Sequence, residues 1–333
     1  MSLASSRARV TLSRHHNSYA GALSRTLSTQ ASLRRSYLYV PSSSERMLEK
    51  SVTSGSDVVI YDLEDSVSPL PEDKAAARSR LRAFLQGEMH RLYPLNVAAR
   101  VNSISTPYFH EDICQIVSQP VVRTVILPKI HSAADIDVVS DAISGSRPAD
   151  APVMEIIPSI ESAKGMWNLG AIAAWKSSHG GPGGNLGALL FAAEDYCADT
   201  SIIRTSSRRE LLFTRSQIVI AAKAFGLDAI DMVCINYRNT DVLKDECQEG
   251  RQFGFTGKQA IHPNQVELIN KTFVPTQDEI ALAARILSAM HNAHASKKGA
   301  VGLDGKMIDA PMIRQAERVM QVAKYAGLDI PSL

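Results

Sequence analysis

Eight short apolar runs, each ending in polar residues and each followed by a stretch of helix-forming composition, constrain this chain more than any other feature. They are SYLYVPS (36–42), DVVIYDLED (57–65), NVAARVN (96–102), TVILPKI (124–130), MEIIPSIES (154–162), ALLFAAEDY (188–196), AIDMVCINYRN (229–239) and GFTGKQAIHP (254–263). Near-continuous apolar runs belong to strands covered on both faces, and strands separated by helices pair in parallel. The segments between them carry helix punctuation. Pro71 opens a stretch rich in Ala, Arg and Leu, Ser132 stands as an N-cap, and Gly226 follows a helical stretch as a C-cap. Eight such units predict a (β/α)8 TIM barrel, and 333 residues suit one. An open doubly wound sheet is the alternative, weakened because no G-x-G-x-x-G follows the first strand.

The glycine-rich run HGGPGGNLG (179–187) precedes a strand and lacks the GK[ST] of a phosphate-binding loop, so it reads as a flexible loop. Beyond the eighth strand, Thr276 and Glu279 form a capping-box pattern. A Gly-rich turn between short strands and an amphipathic helix complete the chain. A closed barrel does not need this tail, which is expected to pack elsewhere, on a neighbouring subunit. The sequence thus divides into a leader (1–35), a barrel (36–272) and a C-terminal extension (273–333).

Net charge is informative only when split. Residues 1–36 hold six arginines and no Asp or Glu, which leaves 30 basic against 34 acidic residues in the body. A mildly acidic body does not suit nucleic acid. The Arg- and Ser-rich, acid-free leader has the composition of a mitochondrial transit peptide, which places the protein in the matrix. No apolar run reaches the length of a membrane span. Four scattered cysteines without a C-x-x-C read as buried thiols rather than a zinc site.

In such barrels chemistry collects at the C-terminal strand ends. Those ends supply Tyr39 and Ser42; Asp62, Glu64 and Asp65; Arg100 and Asn102; Lys129; Glu161; Glu194 and Asp195; and Lys258, Gln259 and His262. So many carboxylates in one mouth cannot remain ionised without a compensating cation. With oxygen ligands and no His pair or thiolate cluster, Mg2+ fits better than zinc. A strand-end carboxylate taken singly is more often a helix cap or ion-pair partner. Lys129 reads as an ion-pair partner of the acids, with a Schiff-base lysine as the alternative. His262 reads either as a turn-capping imidazole or as a general base. Alternation along the second strand puts Asp62 and Glu64 on one face and Asp65 on the other.

The motifs YLYVPSSSERMLEK, VVIYDLEDSV, ARVNS, LPKI, IPSIESAKG, FAAEDY, AFGLDAID, GFTGKQAIHPNQ and GKMIDAPMIRQA occur in that order from about residue 36 to the C-terminus. Together they resemble the citrate lyase β-subunit-like acyl-CoA lyases of the HpcH/HpaI aldolase superfamily. The resemblance implies a Mg2+-dependent barrel that cleaves or forms a carbon–carbon bond in a 3-hydroxyacyl-CoA thioester. Cleavage of citramalyl-CoA to acetyl-CoA and pyruvate is the favoured case; malyl-CoA, β-methylmalyl-CoA and condensation with glyoxylate are related ones. It implies Glu161 and Asp195 as metal ligands, Arg100 as the contact of the 2-oxo acid, and Asp309 as catalytic acid/base reaching a neighbouring subunit's mouth. Tyr39, Arg46 and Lys50 are implied as coenzyme A contacts, and Ile261 with His262 continue that pocket. Glu64, Asp65 and Lys129 then orient the groups that touch metal and substrate. Homo-oligomers, often trimers, are implied. Three positions depart from the family's pattern: Ser42 stands where Gly is usual, Arg46 where Lys is common, and the 179–187 loop is long. The rival readings are a citrate lyase β-type subunit working with an acyl-carrier partner and a non-catalytic acyl-CoA-binding protein.

Overall fold

A computed structural model describes residues 33–93, 95–148, 150–295 and 301–331. The basic leader assigned to residues 1–35 lies, up to residue 32, outside the described residues. The strands are β1 (Ser36–Pro41), β2 (Val58–Asp62), β3 (Asn96–Arg100), β4 (Val122–Leu127), β5 (Glu155–Ile160), β6 (Asn185–Leu186), β7 (Ala188–Phe191), β8 (Asp228–Asp231) and β9 (Gly257–Ala260). All pairings among them are parallel, and each barrel strand pairs with the next. The circle closes through β9 on β1, with Tyr37 opposite Gln259. β6 and β7 are one barrel strand interrupted at Gly187, so the eight-stranded closed barrel replaces the open-sheet alternative.

The helices on the outside include α1 (Glu45–Ser51), α2 (Pro71–Gly87), α3 (Ala133–Ser146), α4 (Ala193–Thr200), α5 (Leu212–Ala224), α6 (Thr240–Phe253) and α7 (Val266–Thr272). Pro71 occupies the first turn of α2, Ser132 and Asp135 form a capping box on α3, and Gly226 takes the left-handed φ of +71° after α5. The strands are apolar on both sides because two cores need them. Tyr37, Ile60, Ala98, Ile126, Ile157 and Leu190 fill the barrel interior, and a larger cluster packs the outer strand faces against the helices. Among the described residues, no helix is long and apolar enough to cross a membrane. All four cysteines are free thiols; three are buried as expected, but Cys114 is only half-buried.

Two expectations change. The run 179–187 is ordered: Gly181–Gly183 form a 3-10 turn, and β6 pairs with β5 through Glu155 and Asn185. The glycines serve close approach, since a Cβ on Gly187 would fall 1.6 Å from Glu155 Oε1. The start of the fold also shifts, because Arg34 pairs with Glu155 and Arg35 with Asp57 at 2.7 Å. Both arginines serve the floor of the barrel rather than the leader.

The C-terminal segment comprises α8 (Gln277–Ala295), the hairpin β10 (Val301–Leu303) with β11 (Lys306–Ile308), and α9 (Ala310–Tyr325). Thr276 and Glu279 cap α8 reciprocally, as their spacing predicts. The segment has its own apolar core, with Ala283, Ile286, Met290, Ile308 and Ala316 buried.

Candidate active site

The second strand stops at Asp62, earlier than its apolar run suggests. There the chain turns on the Asp62 carboxylate. Its Oδ1 accepts from Glu64 N at 3.0 Å and its Oδ2 from Ser66 N at 3.1 Å. Behind the turn, the buried Lys74 ammonium donates to Leu63 O at 2.8 Å and Glu64 O at 2.7 Å, and Asn102 Nδ2 also reaches Leu63 O. Asp62 lies in register with Arg100 on β3. Arg100 forks onto it with Nε–Oδ1 and Nη2–Oδ2 both 2.6 Å. Its Nη1 meets Glu64 at 2.9 Å and Asp65 at 3.3 Å.

One guanidinium therefore gathers all three acids, and the expected separation of Asp65 onto another face does not hold. Strand alternation ends where the strand ends, so it has no authority over residues 63–65. Although burial opposes its ionisation, Arg100 and the two backbone donors hold the Asp62 carboxyl below its ordinary range. Glu64 is pushed up to about 7, chiefly by burial, with the Arg100 charge opposing and Asp65 reinforcing.

Lys129, after β4, has a left-handed φ of +56°. This conformation is uncommon outside glycine. It aims the Lys129 backbone N–H at Glu161 Oε1, 2.7 Å away, while the side chain turns to Glu64 Oε1 at 3.2 Å. Lys129 is thus an ion-pair partner of the acid cluster. Glu161 ends β5 and is 5% exposed. Asp195 sits in the first turn of α4, at the end of β7. Burial pushes Glu161 up to about 8, and the Asp195 and Glu64 charges add to the shift. Burial and the Asp65 charge raise Asp195 as well.

Among the described residues, no group of three or more His, Cys, Asp or Glu side chains is arranged to ligate a metal. The pair Glu161 and Asp195 nevertheless fits a hard divalent ion. A carboxylate whose ionisation is opposed by burial and by a neighbouring carboxylate gains from a cation beside it, and Mg2+ needs only one or two carboxylates besides water and substrate.

A mouth cavity of about 370 Å³ has Asp62, Asp65, Arg100 and Asp195 on its polar side and Val233 and Ile261 on its apolar side; Glu161, Glu64 and Lys129 are not among its lining residues. Tyr39 lies under Arg100, 4.8 Å from ring centre to guanidinium carbon, and donates to Gln259 Oε1 at 3.1 Å. Arg46 and Lys50 are exposed on α1. His262 caps the 3-10 turn Pro263–Gln265 and stacks on Tyr237 at 5.1 Å, which is the turn-capping arrangement.

Asp309 is exposed, caps α9 through Met312 N at 3.2 Å, and does not line the mouth cavity of its own chain. Lys258 does not reach the mouth either; its ammonium is sealed outside the barrel against Met232 O at 2.8 Å and Glu246 at 3.0 Å. Lys74 is absent from the residues expected at the mouth, and Asp62 and Gln259 are expected there by position only, with no role assigned. Asp62 and Gln259 had the signal of a strand-end position, and Asp62 also that of lying beside Arg100 on the next strand; Lys74, inside a helix, had none.

A family model described as HpcH/HpaI aldolase/citrate lyase matches residues 35–263, and one described as a C–C bond lyase of the TIM-barrel fold matches residues 203–328. Mitochondrial citramalyl-CoA lyase of Homo sapiens is 34% identical over 296 residues, covering 87% of this chain and 85% of that protein. Citrate lyase subunit beta of Haemophilus influenzae is 35% identical over 296 residues, covering 88% and 97%. The crystal structure of CitE from Mycobacterium tuberculosis in complex with magnesium, acetoacetate and coenzyme A matches with a TM-score of 0.70 at 28% identity, covering 90% of this chain and all of that one. The motif order, the closed barrel and these matches agree: the chain belongs to the HpcH/HpaI aldolase/citrate lyase family and is a carbon–carbon bond lyase.

Proposed function

We propose that this lyase cleaves citramalyl-CoA to acetyl-CoA and pyruvate in the mitochondrial matrix, using Mg2+ held by Glu161 and Asp195. The observation that carries the proposal is that Asp195, in the first turn of α4, and Arg100, at the end of β3, line one mouth cavity, while Glu161, buried just after β5, feels the charges of both. Malyl-CoA-type thioesters and condensation with glyoxylate use the same groups.

When bound, the ion supplies positive charge that polarises the substrate's hydroxyl and carboxylate. Arg100 fixes the 2-oxo acid end. Four of its five N–H groups are already engaged, three of them with the buried Asp62 and Glu64. The contact with half-exposed Asp65 is the one a substrate carboxylate displaces, giving that carboxylate one Nη1 and one Nη2 donor. Lys129 keeps Glu161 oriented through its backbone and Glu64 through its side chain.

Breaking the bond requires a proton to leave the hydroxyl and another to reach the enolate carbon of acetyl-CoA. Asp309 is the proposed acid, delivered from a neighbouring subunit of a homo-oligomer such as a trimer, because it does not line its own chain's mouth. Tyr39, Arg46, Lys50, Ile261 and His262 form the proposed coenzyme A side. Arg46 and Lys50 lie four residues apart on one face of α1, open to phosphate.

The decisive assay uses the purified chain with citramalyl-CoA and with malyl-CoA, following 2-oxo acid release with Mg2+ or with EDTA. Turnover with Mg2+, its loss in EDTA and its loss in Glu161→Ala are expected. Full turnover in EDTA refutes the metal assignment and turns attention to a Lys129 Schiff base, which borohydride would trap.

A further inference from the structure

Behind the wall of the mouth made by β7 and β8, a line of alternating charges runs from the core to the rim. Lys258, wholly buried, lies 3.0 Å from Glu246 Oε2 on α6. Glu246, 5% exposed, lies 3.4 Å from Arg204 Nη2. Arg204 donates to Val233 O at 3.1 Å, and its Nη1 pairs with Glu194. Glu194 and Val233 both line the mouth, and Glu194 immediately precedes Asp195 in the first turn of α4. A buried ion-pair chain adds little net stability, because desolvation offsets the attraction. Its effect here is positional. A planar guanidinium with donors in fixed directions holds a side chain from the first turn of α4 and a carbonyl from the loop after β8 at once.

We infer that Arg204 is a positioning residue for the divalent-cation site: by pinning Glu194 it fixes the first turn of α4 and so holds Asp195 towards Glu161. This rests on the reading that Glu161 and Asp195 hold the ion. Lys258 and Glu246 supply the rigid end, since both are buried and each has a second partner. Lys258 also donates to Met232 O and lies 3.7 Å from Asp231.

The test is calorimetric titration of the full chain with Mg2+ in the absence of substrate, on wild type, Glu194→Gln, Arg204→Ala and Asp195→Ala. Glu194→Gln carries the decision: the Glu194 side chain is 47% exposed, and its neutralisation weakens only the pair with Arg204, leaving the contacts among Lys258, Glu246 and Arg204 intact. The expected result is Mg2+ affinity weakened about 10- to 100-fold in Glu194→Gln and at least as much in Arg204→Ala. The melting temperature of ion-free Glu194→Gln should match wild type, and kcat should be restored by excess Mg2+. Wild-type affinity in Glu194→Gln and Arg204→Ala, with binding lost in Asp195→Ala, overturns the role of Arg204 and leaves the ion assignment standing. Wild-type affinity in Asp195→Ala overturns the ion assignment itself.

Discussion

Asp62→Asn tests whether the acid loop is held by Arg100. Asp62 is 1% exposed and accepts four hydrogen bonds, each oxygen taking one backbone N–H and one guanidinium N–H. An amide keeps the shape but has one acceptor oxygen. Whichever way it is oriented, its NH2 faces one guanidinium donor and one backbone donor. Both lost bonds are made to an ionised carboxylate, about 1.5–3 kcal/mol each. The total is roughly 3–5 kcal/mol, the usual cost of breaking a buried pair from one side.

Equilibrium urea unfolding of the ion-free protein, followed by circular dichroism at neutral pH, measures it. The sign with pH follows from the depressed Asp62 pKa. The wild-type contribution is fully present above the ordinary carboxylate range and is lost as pH falls through the lower folded value. The gap between variant and wild type should therefore close in acid. Asp65→Asn, at a side chain 58% exposed, should cost less than about 1 kcal/mol. A change within about 0.5 kcal/mol for Asp62→Asn, the range of ordinary surface substitutions, refutes the reasoning.

Three further outcomes are expected. Glu161 and Glu64 have folded pKa values raised to about 8 and about 7, so the folded state holds protons that the unfolded chain releases near the ordinary value of 4.5. Ion-free stability should fall as pH rises from that value through 8, and Mg2+ should flatten the slope and release protons; thermal melts across pH with and without Mg2+ show this, and a flat ion-free profile contradicts it. Asp309→Asn should abolish turnover while leaving Mg2+ affinity near wild type, and mixing it with Glu161→Ala subunits under exchange conditions should restore activity; no restoration argues against delivery from a neighbour. Gly187→Ala should destabilise the fold by about 1–3 kcal/mol in urea unfolding, because the new Cβ displaces Glu155 from Arg34 and Thr124; wild-type stability would show that Glu155 has another home.

The barrel was legible because each strand is apolar on both sides, a local property of the chain, and so were the helix caps at Ser132, Thr276 and Gly226. The candidate residues at the ends of β3, β4, β5 and β7 followed from topology. What stayed hidden depended on contacts between distant residues. Nothing in the sequence pairs Arg204 with Glu246 or turns Lys258 outward, because in a strand covered on both faces alternation does not say which core a residue faces. The left-handed φ of Lys129, a lysine where Asn or Gly would be the ordinary choice, has no local signature. The 179–187 glycines were misjudged for a related reason: glycine permits motion and close packing alike, and only the neighbouring Glu155 and Met154 show which applies.

The distribution of cations in the mouth separates the acids by role. Asp62 is matched by Arg100 and Glu64 by Arg100 and Lys129, while Lys74 holds the backbone carbonyls that carry them. These acids are neutralised within the fold, and their negative charge is spent on holding Arg100 in place. Glu161 and Asp195 make no ion pair with a side chain among the described residues, and Glu161 receives only the Lys129 backbone N–H. Burial raises both, with the Asp195 charge adding at Glu161 and the Asp65 charge adding at Asp195. A free site for a divalent cation is where negative charge is left uncompensated, and that condition selects the ends of β5 and β7 over the more acidic end of β2. The cluster of three acids thus holds Arg100 in place, and the two carboxylates farther along the chain are the ones proposed to hold the ion.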